Sequence, residues 1–250
     1  MVMVMEPYIL EETGDFAVVF KPPKMHCAPS RADKGDTLLD WYAAIFPPVR
    51  KFTGRKEGEG GLVHRLDFET RGLVLFAKNQ QSLNNVMRQQ NEGGFIKEYG
   101  AICQKSPLVH QSFPPPPFDL AGDGFPHTPF VIESFFRPYG PGRKQVRPVV
   151  GAGSKETAAD KGGFYRTEVT GFSAEDNGLA VTVRLRRGFR HQIRCHLAWI
   201  GCPVINDPLY GQAAQGFLGL LASGLVFVDP GSNRVREYHM APLEKSSNSL

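Results

Sequence analysis

Asp67 stands in a dense polar segment, with His64, Arg65, Glu69, Thr70 and Arg71 around it, held between apolar Leu62-Val63 and the apolar run Gly72 to Ala77. A carboxylate on a loop anchored by buried chain is stiff yet reachable, as a nucleophile, a general base or a charge stabiliser must be. Glu69 supplies a second carboxylate two residues on. In extended chain the pair can reach the ~5–9.5 Å separation at which two carboxyl groups cleave a glycosidic bond. A second group of capable side chains lies later: Arg184, Arg186, Arg187, Arg190, His191, Gln192, Ile193 and Arg194. Guanidinium groups in such number suit phosphates, which they bind without regard to base sequence. Arg65, long and flat, is able to stack. Tyr99 lies in the strand-like FIKEYGAI, where a packed aromatic with its hydroxyl at the edge is the ordinary role. His64 and His191 are read as orienting loops by hydrogen bonds.

The elements that must position these groups follow from pattern. Asp15 to Phe20 reads as a strand ended by Lys21-Pro22-Pro23, because Pro neither donates to a ladder nor continues it. Asp36 or Thr37 starts a helix with Leu38, Trp41, Tyr42 and Ile45 on one face, stopped at Pro47-Pro48. Arg50 to Gly61 is expected to be a mobile loop. Gly72 to Ala77 is a core strand, Asn79 to Gln90 an amphipathic helix, and Phe95 to Ile102 a strand. Gln104 to Gly163 is the least regular stretch, with Pro114 to Pro117 as a polyproline II turn and Phe130 to Phe136 as its best strand. Its basic residues Arg137, Arg143, Lys144 and Arg147 suit either phosphate contact or a solvated loop. Thr167 to Phe172 and Leu179 to Leu185 form a hairpin across Ser173 to Gly178, with Leu179, Val181, Val183 and Leu185 on one side and Thr182, Arg184 and Arg186 on the other. Arg190 to Ile200 is a helix closed by Gly201 and Pro203, and Leu225 to Val228 a last strand. The tail from Glu244 is expected to be disordered.

At 250 residues, 41% hydrophobic and 22% charged, the chain has the composition of a soluble globular protein of one domain. Its net charge of +4 permits nucleic-acid binding. Met1 to Met5 is too short for a signal-peptide core, and no apolar run reaches membrane-spanning length, so no membrane partner and a cytoplasmic location are expected. Cys27, Cys103, Cys195 and Cys202 are scattered and none forms a CxxC pair, so all four are read as thiols and no metal site is expected. With no Rossmann glycines and no P-loop, no cofactor is expected either.

HRLDFETRGLVLFAK, centred on Asp67, resembles the catalytic motif of the RluA-type pseudouridine synthase family, HRLDxxTSGLLLxAK. RRGFRHQIRCHLAWIGCPVINDPLYG is similar to the family's TGRxHQIRxHLxxxGxPIxGDxxYG. Lys21-Pro22 matches a KP pair after the first strand, and Lys97-Glu98-Tyr99 the family's KEY. Three departures appear: Arg71 for Ser, Phe189 for Arg, and Asn206 for Gly. The resemblance covers most of residues 8 to 243 and fails mainly across an enlarged insertion at about 104–163.

The resemblance implies an α+β pseudouridine synthase fold, a mostly antiparallel mixed β-sheet with flanking helices and a central RNA-binding cleft. It implies a single catalytic domain with no S4-like domain before it, and isomerisation of uridine in ribosomal or transfer RNA, without cofactor, by a monomer. Asp67 would be the essential catalytic residue, as nucleophile at C1′ or as base at the ribose. Tyr99 would lie against the uracil, and Arg194 would supply the active-site cation. Arg65 would fill the space left by the flipped base, Ile193 would either wall that base or pack in the core, and Arg184, Arg187 and Arg190 would hold phosphates. Lys21, His64, Thr70, His191 and Gln192 complete the residues expected to bind substrate. A non-catalytic RNA-binding or chaperone protein on the same fold, and a hydrolase using Asp67 with Glu69, are the alternatives.

Overall fold

Strand β2 (Phe16–Lys21) is buried along its whole length and β3 (Arg71–Ala77) from Gly72 onward, as continuous Val, Leu and Phe runs require. They belong to a computed structural model that describes residues 5–29, 36–106, 112–118, 129–151, 163–175, 178–212 and 216–243. Much of the expected insertion, the hairpin tip at 176–177 and the tail from Glu244 lie outside the described residues. The chain divides into two compact units, Met1–Lys97 with Leu221–Ala241, and Glu98–Leu220 with Pro242–Leu250.

In the first unit β1 (Tyr8–Glu12), which the sequence did not announce, pairs antiparallel with β2, and β2 pairs antiparallel with β3. β3 runs parallel to β9 (Leu220–Val228) at Arg71↔Leu221 and Gly72↔Ala222, and β10 (Val235–His239) returns antiparallel along β9. Helix α1 (Leu38–Ile45) opens on a capping box in which Thr37 and Asp40 each accept the other's backbone N–H. Helix α2 (Gln80–Glu92) is capped by Asn79, whose Oδ1 accepts from Ser82 N–H at 2.7 Å, and stops at Gly93 in the left-handed region. Leu83 and Val86 of α2 complete a core with Phe16, Val18, Leu73, Leu75, Phe95, Leu225 and Phe227.

The expectation of a mobile loop from Arg50 to Gly61 is corrected at both ends. Pro47–Lys51 forms a 3-10 turn with Val49 fully buried. Gly61 N–H then donates to Val49 O at 2.9 Å while Gly61 O accepts from Ala77 N–H at 2.8 Å, which pins the segment to β3. Val49 is apolar and Gly60 and Gly61 allow close backbone approach, and these outweigh the basic, polar residues between them.

The second unit contains the hairpin of β7 (Tyr165–Glu175) and β8 (Gly178–Leu185), with β8 beside β4 (Ile96–Cys103) and β7 beside β5 (Phe130–Tyr139). The predicted alternation holds: Leu179, Val181, Val183 and Leu185 are buried, and Thr182 and Arg184 exposed. Both arms run further than predicted, because outward-facing polar residues are tolerated on a ladder. Residues 137–147 are not an open basic loop: β6 (Gln145–Val149) pairs antiparallel with β5, setting Arg137 opposite Arg147. Pro138 and Pro148 masked that pairing in the sequence, and β6 accommodates Pro148 as the last strand of its sheet. Helix α3 (Gln192–Trp199) is buried at every residue and starts later than the predicted Arg190, because His191 lies in the left-handed region at φ 55°. Helices and a mixed sheet give the α+β class expected. No helix among the described residues is long and apolar enough to cross a membrane.

Gly72 carries the tightest backbone constraint beside the Asp67 segment. Its φ is +127° and a Cβ there would collide with the Ala222 backbone. Gly72→Ala is expected to destabilise the protein by at least about 2 kcal/mol, strain and overpacking together. A urea midpoint equal to that of the parent would contradict this account of the β3–β9 pairing.

Candidate active site

The Asp67 loop leaves β3's neighbour chain at Val63, whose N–H donates to Leu75 O at 3.0 Å, and re-enters the sheet through a turn in which Thr70 N–H donates to Asp67 O at 3.1 Å. Two side chains from the end of β2 and the segment after it hold the loop from below. Lys21 is fully buried, and its Nζ donates to Pro22 O and Met25 O, both at 2.8 Å, and to Phe68 O at 3.3 Å. Burial pulls its ammonium down to about 8, against the opposing pull of nearby Cys27, Asp67 and Glu69. Cys27 brackets Leu66: Sγ accepts from Leu66 N–H at 3.2 Å and lies 3.5 Å from Leu66 O. Burial pushes this thiol up, against the opposing pull of Lys21. The residues on either side of Asp67 are therefore bound through their backbones, while Asp67 itself remains partly exposed.

His64 accepts Leu75 N–H on Nε2 at 3.2 Å, so its proton sits on Nδ1, a buried donor with no hydrogen-bond partner among the described residues. Burial first, then the charges of Lys97 and Arg55, push the imidazole down to about 3 and keep it neutral. Thr70 is 2% exposed, and its hydroxyl also has no hydrogen-bond partner among the described residues. Arg65 points outward, half exposed, with Nη1 3.1 Å from Glu59 Oε1. Lys21, His64, Arg65, Asp67 and Thr70 thus gather in one unit, and the arginine-rich group and Tyr99 belong to the other.

In that second unit Arg194 and Asp207 form a fully buried bidentate pair, Nε to Oδ2 and Nη2 to Oδ1, both at 2.7 Å. Asp207 Oδ1 also accepts from the N–H groups of Leu209 and Tyr210, at 2.9 and 3.2 Å. The Tyr210 ring faces the guanidinium at 5.6 Å, and its hydroxyl accepts Val146 N–H at 2.7 Å and lies 3.2 Å from His191 Nδ1. His191, expected to touch substrate, is thereby placed against Tyr210. Gln192 donates to Arg166 O and Thr167 Oγ1 and accepts Phe189 N–H, and so ties α3 to β7. Ile193 is buried on the same helix, and Tyr99 is 6% exposed in β4.

The remaining arginines have defined neighbours. Arg184 donates to Glu98 at 2.7 Å, and Arg190 to the carbonyls of Arg143 and Gln145 at the β5–β6 connection. Arg187 lies 4.8 Å from the Tyr165 ring centre. Phe189 stacks on Phe136 at 5.2 Å and meets Tyr165 at 4.8 Å, an aromatic cluster that gives this departure from the motif its place. Asn206 has φ 58°, a conformation that Gly adopts freely and Asn tolerates best after it, and its Nδ2 donates to Phe217 O at 2.9 Å. Sequence reasoning gave no role to Cys27, Asp207 or Tyr210. Asp207 and Tyr210 lie within the matched motif, which was a usable signal, whereas nothing in the sequence marked Cys27.

The sequence pattern of the family described as RNA pseudouridylate synthase matches residues 15–199. An uncharacterized RNA pseudouridine synthase of Mycoplasma genitalium, MG209, is 29% identical over 248 residues, 96% of this chain and 69% of that protein. The MG209 homolog of Mycoplasma pneumoniae is 31% identical over 246 residues, 95% of this chain and 67% of that protein. The ribosomal large subunit pseudouridine synthase D of Haemophilus ducreyi is 24% identical over 206 residues, 81% of this chain and 52% of that protein. Among solved structures, human RNA Pseudouridylate Synthase Domain Containing 1 shares the fold, with a TM-score of 0.62 at 22% identity, covering 94% of this chain and 83% of that one.

Two outcomes follow from these geometries. Asp207→Asn leaves Arg194 buried without its counter-charge and is expected to cost about 3–5 kcal/mol in urea unfolding; a loss within error of zero would mean that the pair is not buried in solution. The second concerns acid. His64 and His196, each about 3 in the fold against an ordinary 6.5, refuse protons that the unfolded chain accepts. Stability from these two groups is thus complete above about pH 6.5 and declines as pH falls toward 3. Urea midpoints taken from pH 7 to pH 4 should fall steadily, and a rise on acidification would contradict the neutral assignment.

Proposed function

The chain belongs to the RNA pseudouridylate synthase family, and we propose that it converts specific uridines of ribosomal or transfer RNA to pseudouridine with Asp67, Tyr99 and Arg194 as its catalytic residues. The observation that carries the assignment of Asp67 is the bracing of its loop. Leu66 and Phe68, the residues on either side, are bonded through their backbones to Cys27 and Lys21. Catalysis by a carboxylate depends on placing it to within a fraction of an ångström, and a loop fixed at both neighbours meets that need.

In the reaction the C1′–N1 bond of the uridine breaks, the uracil turns, and a C1′–C5 bond forms. The proton on C5 leaves to solvent and N1 gains one, so no oxidant, reductant or outside group takes part. The target nucleotide must leave its stack, at a cost of a few kcal/mol that is smallest where the base is unpaired. Asp67 acts at the sugar, as nucleophile at C1′ or as base at the ribose, and Tyr99 at the uracil. Arg65, half exposed beside the reacting residue, fills the gap the base leaves. Arg184, Arg187 and Arg190 contribute phosphate contacts, Lys21 and Gln192 act by holding backbone carbonyls, and His191 acts by holding the Tyr210 hydroxyl. The enzyme works as a monomer in the cytoplasm.

RNA labelled with tritium at uridine C5 should release it to water as pseudouridine forms, with no free uracil. Release of free base or sugar instead would point to a hydrolase that uses Asp67 and Glu69. Asp67→Asn preserves shape while removing charge, so turnover at saturating RNA should fall to the detection limit while affinity changes little. If that variant keeps substantial single-turnover activity, with reversion to Asp excluded by mass spectrometry, Asp67 is not the catalytic group. Pseudouridine maps of total RNA with and without the gene then identify the modified position.

A further inference from the structure

Helix α3 covers one face of the sheet in the second unit, where Gln192 and His196 meet Thr167 of β7 and His196 meets Ser134 of β5. Side chains alternate along a strand, so Arg166 and Glu168 of β7 and Val131 and Glu133 of β5 project from the other face. The strand registers set these residues side by side. Val131 lies opposite Glu168, Glu168 opposite Arg184, and Glu133 opposite Arg166. Arg186 and Arg187 follow at the end of β8, with Arg187 held over the Tyr165 ring at 4.8 Å. With Phe164 they line an open groove of about 380 Å³ that lies within one unit. Glu98, which accepts from Arg184 on this face, directly precedes Tyr99 in β4, so Tyr99 projects from the opposite face.

Four guanidinium groups and one carboxylate line the groove. Two of the four are oriented by carboxylates at its edge: Arg166 Nε lies 2.9 Å from Glu133 Oε1 and Arg184 Nε 2.7 Å from Glu98 Oε1, with side chains 68% and 51% exposed. A guanidinium carries five N–H donors and a carboxylate engages two at most, so each ion pair fixes its arginine and leaves donors for a further acceptor. Phe164 is 51% exposed, and its ring is held against Phe135 at 4.3 Å. An aromatic face fixed beside oriented cations suits a single strand of nucleic acid, whose bases stack on the ring while its phosphates accept from the guanidiniums. At ~3.3 Å per residue, Phe164 and Glu168 lie about 13 Å apart along the chain, which leaves room for a base and the phosphates that flank it.

We propose that this groove is a second RNA-binding site, on the sheet face opposite Tyr99, which takes an unpaired nucleotide with its base on Phe164 and its phosphates on Arg166, Arg184 and Arg186. It holds a part of the RNA other than the uridine that reacts, and so acts on affinity and choice of RNA while the chemical step proceeds elsewhere. The inference rests on the RNA-modifying reading above, since it is that reading which brings a strand to this surface.

The test uses the full chain, a 12-nucleotide oligouridylate as the binding probe, and the variants Phe164→Leu, Arg166→Gln and Glu168→Gln, all at exposed or half-exposed positions. Phe164→Leu removes the stacking face and should weaken binding about fivefold or more with the salt dependence unchanged, whereas Phe164→Trp should keep it. Arg166→Gln should make the slope of log affinity against log salt shallower by about 0.7, the share of one phosphate contact. Glu168→Gln removes a charge that repels phosphate and should tighten binding; weaker binding would mean a cationic occupant and overturn the proposal. When the probe carries a single 5-iodouridine, ultraviolet light should join it to Phe164, as mapped by mass spectrometry. An adduct found only outside the groove, or unchanged affinity in both Phe164→Leu and Arg166→Gln, also overturns it. Tritium release from C5-labelled RNA at saturation should match the parent in every variant, because Tyr99 faces away from the groove. If the parent releases tritium and the variants bind normally, only the groove fails; if the parent releases none, the functional reading fails with it.

Discussion

One buried ammonium organises the chemistry-bearing end of the first unit. Lys21 closes β2, and with Pro22 and Pro23 following it the chain cannot continue its ladder. The loop carbonyls of Pro22, Met25 and Phe68 would otherwise need solvent or another donor, and the Lys21 ammonium supplies three N–H groups to them. The strand end, the segment that delivers Cys27 and the loop that delivers Asp67 are thereby referred to a single atom. Stiffness arises from this arrangement without burial of Asp67 itself, which is the combination a reacting carboxylate in a loop needs.

The second unit reaches a comparable result by a different route. There a fully buried guanidinium is matched by a carboxylate, and the carboxylate is in turn tied to the turn that begins at Asp207 by two backbone N–H groups. A buried ion pair contributes little net stability compared with apolar packing, but breaking it is expensive, so it fixes geometry more than it adds free energy. Helix α3 gains its orientation from this pair, from Gln192 on β7, and from His196, whose ring nitrogens meet Ser134 and Thr167 hydroxyls at 2.9 and 2.8 Å.

What the sequence disclosed depended on whether a segment's pattern was apolar. β2, β3, α2 and the β7–β8 hairpin were legible because Val, Leu and Phe recur at the spacing their burial demands. β1 was not, since Tyr8 and Leu10 are exposed and its YILEE carries little apolar signal. β6 was hidden by Pro148, and the pinned end of the 50–61 segment by the charges that precede it. At the site the ordered motifs placed Asp67 on a loop before a core strand, as found. The bracing could not be read, because Lys21 and Cys27 act on backbone carbonyls and amides, and such groups leave no mark in a sequence.

The three departures from the family pattern differ in what they change. Asn206 leaves the backbone as Gly would have it, because the position needs only a residue that accepts φ near +60°. Phe189 exchanges a cation for an aromatic ring, and the ring is taken up by Phe136 and Tyr165 while Arg187 lies over Tyr165. Arg71 adds a half-buried cation where β3 leaves the Asp67 turn. Positive charge is thus lost at one end of the arginine-rich run and gained beside the carboxylate loop. Arg55, Arg65, Arg71 and Lys97 all lie in the first unit. Attraction to a phosphate backbone follows the position of cations and not base identity, and Arg71 sets a cation in the unit that carries Asp67 where the family pattern has a neutral Ser.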